Sequence, residues 1–481
     1  MNWAGHEGYI LYVRDHGTMR MTDSRWLPFF WCMLMALLVS GCPQKVVVDY
    51  HGSPALAPGT RPEMNTAGFW IGRHAEADRL VMTLDEIGAF NAYIKDKTRA
   101  VYDVPRFSST RNGTTLQGSM RRMLAYVASK NYVDARGRPA GESLGSLEAV
   151  MAIDAIPATV RVHWAYVVRP CDQRILPTEA PLYKSVTDTA IDRLQNNALD
   201  LATPVVVLHE SADQAWFYII APYSDGWVRA DCVALCPLEQ MERYEACNSI
   251  VVAISARADL FGDPLLRDHV TSMQMGTRLP LLQEMGEDRV QVLVPTRSEG
   301  GWCVFDAAYI SVSQVHHGYL PYTPRNAITQ AFRLLNTPYG WGGMYGEQDC
   351  SRFIQEIFAC FGILMPRNSS QQGKVGSPVA SFGSTLDEDQ RRKALVSSAR
   401  GGVTTLQFPG HIMLYLGNMG GEPYAIHDLY AYTEPMSDDE RLISINRVAV
   451  TSLALGGGTK KGSLLMRLVN VRELSPEPAE K

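Results

Sequence analysis

The sequence predicts a multidomain α+β protein, with a helical N-terminal segment, two small β-barrels in tandem and a C-terminal α+β domain. Three observations carry that expectation: a capping-box helix start between residues 67 and 155, a doubled set of short apolar runs between 156 and 318, and a Gly-rich loop feeding an amphipathic run in the last third. The chain has 481 residues, of which 46% are hydrophobic and 20% charged, enough for several domains of ordinary globular composition. A net charge of -5 and no long run of one sign leave no basic field for nucleic acid.

The first 42 residues read as an address. Arg25 precedes the apolar run Trp26 to Val39, and Ser40-Gly41-Cys42 follows, a basic region, a short hydrophobic region and small residues before a cysteine. The run is short for a bilayer span, which needs roughly 20 residues. This pattern resembles a bacterial lipoprotein signal, which implies cleavage before Cys42 and lipidation of Cys42. Residues 1 to 20 fit no part of it, which points to Met19 or Met21 as the start. An uncleaved membrane anchor is the alternative. Either way the bulk of the chain is expected in the cell envelope, attached to a bacterial membrane on its periplasmic side. Residues 43–66, rich in Pro and Gly, read as a tether.

Nine cysteines are present. Beyond Cys32 and Cys42 they are Cys171, Cys232, Cys236, Cys247, Cys303, Cys350 and Cys360, with no paired CxxC knuckles beside histidines, so no structural zinc is expected. In an oxidising compartment the close group Cys232, Cys236 and Cys247 is where pairing is expected, although spacing alone fixes no connectivity.

In residues 67–155, Thr83-Leu-Asp-Glu86 is a capping box leading into IGAFNAYIK, and Met120 to Lys130 is a further helix candidate. His74 there reads as a surface or packing histidine. Two sets of strand runs follow, in 156–245 and 246–318. Pro204–Leu208, Trp216–Pro222 and Asp225–Val228 match, in order, Leu279–Leu282, Val290–Pro295 and Gly300–Val304, each set ending on a Gly-Trp step (Trp227 and Trp302). Both halves resemble bacterial SH3-like domains, which bind cell-wall polymers or shape a neighbouring active site.

Residues 319–481 carry the chemistry. RNAITQAFRLL (325–335) has helical spacing, and Tyr339-Gly-Trp-Gly-Gly343 is a Gly-rich loop running toward Asp349-Cys350-Ser351. Phe353, Ile354, Ile357, Phe358 and Phe361 fall on one helix face that Gly362 can stop. Asp349 is then the N-cap and Cys350 opens the first turn, where the helix dipole and free N–H groups favour thiolate over thiol. Cys360, near the other end, reads as packing.

A cysteine nucleophile needs a base and a group to orient that base. GHIMLYLG (410–417) and YAIHDLY (424–430) are strand-like runs joined by a turn. A hairpin symmetric about Met419 would set His411 directly opposite His427, with Cβ atoms about 5 Å apart. A one-residue slip would separate them, and two unrelated core histidines are the alternative. The sequence leaves the segment from Gly373 to Gly402 unassigned, a loop over the cleft being one reading of it.

Taken in order, Tyr339-Gly-Trp-Gly-Gly, Asp349-Cys350-Ser351, Pro366-Arg-Asn-Ser-Ser-Gln-Gln372, His411 before Tyr-Leu-Gly, and His427 resemble the NlpC-type cell-wall cysteine peptidases, which have a papain-like fold. The resemblance covers about 325 to 470, and the helical segment with two SH3-like barrels in front matches a subgroup of these enzymes. It implies hydrolysis of peptidoglycan stem peptides between γ-D-glutamate and a diamino acid such as meso-diaminopimelate, through a thioester. Carried over, Cys350 is the nucleophile, His411 the base and His427 its orienting partner, with no metal or organic cofactor. Tyr339 aligns near the oxyanion site, and Trp341, Asp349, Ser351, Asn368 and Ser369 align with the substrate pocket. Arg367 is either a loop tie or a ligand contact. The subgroup prefers stems with a free N-terminal L-alanine held by acidic groups. Asn368 stands where an aspartate is expected, so Glu179 or another acid of the first barrel would have to supply the charge. Peptidoglycan stem peptides and a membrane are the expected partners, with the chain acting as a monomer. A non-catalytic cell-wall-binding lipoprotein, and an amidase or acyltransferase with the same triad, are the competing classes.

Overall fold

The computed structural model describes residues 56–382, 386–437 and 439–475. The signal, Cys42 and the tether up to residue 55 lie outside the described residues. The N-terminal segment contains helices α1 (Leu84–Thr98), α2 (Gly113–Ala128) and α3 (Gly141–Met151). The Thr83 side chain accepts from the Glu86 backbone while Glu86 reaches back to the Thr83 N–H at 2.8 Å, so the capping box starts α1. Helix α2 starts well before Met120, because the Asn112 side chain caps the Thr115 N–H at 2.8 Å.

Two seven-stranded antiparallel barrels follow. The first runs β1 (His163–Val167), β2 (Cys171–Arg174), β3 (Gln195–Leu199), β4 (Pro204–Glu210), β5 (Trp216–Ala221), β6 (Ser224–Arg229) and β7 (Val233–Leu235). After α4 (Leu238–Glu245), the second runs β8 (Ile250–Ala253), β9 (Arg257–Phe261), β10 (His269–Gln274), β11 (Arg278–Met285), β12 (Arg289–Arg297), β13 (Cys303–Ser311) and β14 (Val315–His317). Hydrogen-bonded order is β3-β2-β6-β5-β4-β1-β7 in one and β10-β9-β13-β12-β11-β8-β14 in the other, the same permutation twice. The doubled pattern in the sequence is therefore a repeated topology. The two tryptophans differ: Trp227 is fully buried within β6, whereas Trp302 is 54% exposed. The turn at Gly301 (φ 82°) delays β13 until Cys303, which takes the buried position instead.

The C-terminal domain contains α5 (Pro324–Arg333), α6 (Cys350–Ala359), α7 (Ser369–Gln372), β15 (Ser377–Ser381), α8 (Glu388–Ser398), β16 (Thr404–Phe408), β17 (His411–Met419), β18 (Glu422–Pro435), β19 (Glu440–Ser452) and β20 (Asn470–Glu473). The six-stranded sheet has the order β15-β20-β16-β17-β18-β19. Ile412, Leu414, Leu416, Ile426 and Val448 on one face pack with Phe353, Ile354, Ile357 and Phe358 of α6. Met413, Tyr415, Ala425 and Leu429 on the other pack with Leu395 of α8. In the unassigned segment, Ser377–Ser381 is thus an edge strand and Glu388–Ser398 a helix behind the sheet. Leu395 is buried against that rear face, with Val379, Ala380 and Ala399 partly buried beside it.

The β17–β18 hairpin departs from the symmetric reading. Gly420 and Gly421, at φ 60° and 87°, close a two-residue turn that pairs Met419 with Glu422, so the hairpin does not centre on Met419. That register alone would send His411 and His427 to opposite faces. A bulge between Tyr415 and Gly417 shifts the pairing to Tyr415–Ala425 and Leu414–Ile426. Both histidines then share a face, offset diagonally instead of opposed. Leu416, the bulged residue, has its carbonyl 2.8 Å from His74 Nε2, so the N-terminal segment satisfies the polar group that the bulge leaves unpaired.

Candidate functional site

Cys350 opens α6 because Asp349 caps it, accepting from the Ser351 and Arg352 N–H groups at 3.1 and 2.9 Å. Burial would push the Asp349 carboxyl up, but Arg367 and these N–H groups hold it below the usual carboxylate range. Arg367 grips both Asp349 oxygens at 3.0 and 2.7 Å, Ser351 Oγ at 2.8 Å and Asn197 Oδ1 of β3 at 2.6 Å. It ties the loops together through these bonds and also lines the cavity beside Cys350.

The Gly-rich loop lets the first barrel come close. Gly342 and Gly343 have φ of 63° and 85°, and a Cβ on either would lie 2.7 Å from Gln195 Cγ or Ala198 Cβ of β3. Beside them Arg352 bridges Asp200 Oδ1 at 2.6 Å, the Ala198 carbonyl at 2.8 Å and Glu356 Oε1 at 2.7 Å, with Gln348 on the other Glu356 oxygen at 2.9 Å. Burial raises the Glu356 carboxyl to about 7 against the pull of Arg352.

A cavity of about 420 Å³ opens at the junction. Cys350, Tyr339, Trp341, Asp349, Ser351, Asn368 and Ser369 all line it, so the structure gathers the predicted nucleophile and binding positions at one place. The first barrel supplies Gln195, Asn196 and Asp225. Its acid in the cavity is Asp225, within the Asp-Gly-Trp step, and not Glu179, which is exposed and pairs with Arg229 at 3.7 Å. Asn368 caps α7 through Gln371 N–H at 3.2 Å. Trp341 Nε1 is buried without a hydrogen-bond partner among the described residues, a donor beside the cavity.

His411 Nε2 lies 2.6 Å from His427 Nδ1, and His427 Nε2 lies 2.8 Å from Thr451 Oγ1. If Thr451 Oγ accepts from His427 Nε2–H, then His427 Nδ1 accepts from His411 Nε2–H, and His411 Nδ1 keeps its lone pair. Thr451 is invisible to motif reading, a threonine in a strand among others; only the β18–β19 register brings it to His427.

The start of β17 brings the neighbours of His411 to the site. Gly410 lines the cavity, and the Cys350 thiol faces the Ile412 N–H, so His411 sits between two residues that touch the site. The resting charges differ from the dipole expectation. Burial, then Asp349 and Asp428, push the Cys350 thiol well above its usual range, while burial and Arg467 hold His411 down to about 3. Burial and the neighbouring His411 likewise keep His427 neutral. Burial thus opposes the helix dipole at the sulfur and disfavours charge on both imidazoles. Cys350 and His411 share no hydrogen bond among the described residues; such contacts tighten on substrate binding. Cys360 is fully buried among the core residues behind α6.

Residues 336–432 match the sequence model of the NlpC/P60 family, and residues 181–229 match that of an SH3 domain of the SH3b1 type. The fold is similar to that of an NlpC/P60 endopeptidase from Photobacterium damselae subsp. piscicida, with a TM-score of 0.67 and 19% identity over 85% of this chain and 94% of that one. An NlpC/P60 family protein from Bacillus cereus ATCC 10987 aligns with a TM-score of 0.42 and 18% identity, over 59% of this chain and 83% of that one. No curated protein matches the sequence.

Proposed function

We propose, from the premise that this chain carries an NlpC/P60 peptidoglycan-hydrolase domain behind an SH3b domain, that it cleaves stem peptides between γ-D-glutamate and the following diamino acid. The observation that carries this reading is the cavity in which Cys350, Tyr339 and Trp341 face Gln195, Asn196 and Asp225 of the first barrel. A site walled by a second domain beside the nucleophile suits the end of a stem better than a long polymer threaded through. Asp225 supplies there the negative charge that Asn368 lacks, which supports recognition of a free L-alanine amine.

In the proposed reaction the Cys350 proton passes to His411 Nδ1 as sulfur attacks the γ-carbonyl carbon. Burial first, and then the neighbouring Cys350 and Asp349, raise the pKa of Tyr339 and keep its hydroxyl protonated as an oxyanion donor. His411 then protonates the leaving amine, and water, deprotonated by His411, hydrolyses the thioester. His427 and Thr451 hold the tautomer that leaves Nδ1 basic.

Cys350→Ala or His411→Ala is expected to lower release of diamino acid from a tripeptide stem at least about 10³-fold, read by mass spectrometry of the products. Full activity in either variant, or a cut between sugar and alanine, sinks the reading. From sequence alone we further propose a lipid anchor at Cys42; Cys42→Ser should move the protein from the membrane to the soluble fraction.

A further inference from the structure

The structure shows seven free thiols among the described residues, and four of them stand in two pairs. Leu235 bridges in parallel to Trp302, its N–H donating to the Gly301 carbonyl at 3.0 Å. The next residue on each chain is a cysteine, and Cys236 and Cys303 are buried in one apolar cluster with their thiols in hydrogen-bonding contact. In the first barrel Val167 pairs with Val233, and the Val168 N–H donates to the Cys232 carbonyl at 2.9 Å. The chain then turns so that β2 begins at Cys171, whose thiol contacts that of Cys232. The expected trio Cys232, Cys236 and Cys247 is not a cluster: the first two find their partners elsewhere, and Cys247 contacts the Ser249 carbonyl at 3.3 Å. Among the described residues no three His, Cys, Asp or Glu side chains converge to hold a metal ion, so the pairs do not read as halves of a metal site.

We propose that these pairs are disulfide bonds in the protein under oxidising conditions, Cys171–Cys232 inside the first barrel and Cys236–Cys303 between the two barrels. Each pair has a natural attacking sulfur. Contact with Cys171, then Arg169, whose Nε lies 3.3 Å from the sulfur, lowers the pKa of Cys232; contact with Cys303 lowers that of Cys236. The oxidant is a disulfide donor, either an oxidised dithiol protein or glutathione disulfide. Cys236 thiolate attacks one donor sulfur and breaks the donor S–S bond, giving a mixed disulfide. Cys303, deprotonated, attacks the Cys236 sulfur and expels the second donor thiolate. Two cysteine thiols are oxidised, one donor disulfide is reduced to two thiols, and the two protons end on the donor; Cys232 and Cys171 follow the same course. The Cys236–Cys303 bond joins the residue just after β7 to the first residue of β13, so the two barrels keep one relative placement. Among the described residues no thiol contacts Cys350, which stays outside both pairs.

The test does not depend on the hydrolase reading. The full chain is equilibrated in a glutathione and glutathione disulfide buffer, alkylated, digested without reduction and analysed by mass spectrometry. Linked peptides containing Cys171 with Cys232 and Cys236 with Cys303, with Cys247 and Cys360 alkylated, are expected. Complete alkylation of the four, or a link joining any of them to Cys247, Cys350 or Cys360, overturns the proposal. Cys236→Ser should leave Cys303 alkylated and the Cys171–Cys232 link intact; a new partner for Cys303 counts against it.

Discussion

The two barrels share one topology and grip the same loop with the same strand, yet they do different work. From the third strand of the first barrel, Gln195 Nε2 donates to the Gly342 carbonyl at 3.3 Å; from the third strand of the second, Gln274 Nε2 donates to the Gly346 carbonyl at 3.0 Å. The loop before Cys350 is thus held at both ends by equivalent strands. Around Gln195 the contacts are buried and ionic, through Arg352, Arg367, Asp200 and Asn197. Around Gln274 they are wetter: Arg257, 47% exposed, pairs with Glu347 at 2.7 Å. A duplicated fold has put its costly interactions at the copy that walls the cavity. The second copy lies against the rear of α6, where Gly276 leaves room for Ala359.

The contrast can be broken by substitution. Arg367→Met leaves Asp349 buried without its cation and should cost about 3–5 kcal/mol in denaturant unfolding, with loss of activity. Next comes pH. Glu356 has its folded pKa raised to about 7 from 4.5, so the folded state holds its proton more tightly than the unfolded one. That contribution is fully present below about 4.5 and is lost as pH rises through about 7, at most about 3 kcal/mol. Glu356→Gln should flatten the stability profile across that window; an unchanged slope would show that the first barrel's ionic clamp does not titrate. His74→Ala strands the Leu416 carbonyl at the bulge and should cost about 1–3 kcal/mol, with a fall in kcat larger than any change in KM if the bulge keeps the histidines on one face. Smallest is Arg257→Ala, at about 0–1 kcal/mol with kcat unchanged. A loss as large as that of Arg367→Met would erase the difference between the barrels.

Much of the site was legible along the chain. Asp349 and Cys350 announce themselves because a cap and its helix are local, settled within one turn of backbone. The capping box of α1 and the doubled strand runs are legible for the same reason. The hairpin was only half legible: its strands and histidines could be read, but the Gly420-Gly421 turn and the bulge at Leu416 offset each other, and a symmetric reading reached the same face through the wrong register. Asp225 and Thr451 were missed, since nothing nearby in the sequence marks which aspartate or threonine of a strand will face the site.

By itself, then, the sequence determined which residues could do chemistry and which elements would carry them, because hydrophobic period, caps and turns act over a few residues. Tertiary structure alone decided which acid of the first barrel lines the cavity, which groups Arg367 ties together, and which cysteines meet. It also decided the resting charge of Cys350. A helix start favours thiolate in isolation, but burial beside Asp349 and Asp428 reverses that preference, and desolvation depends on everything packed around the sulfur.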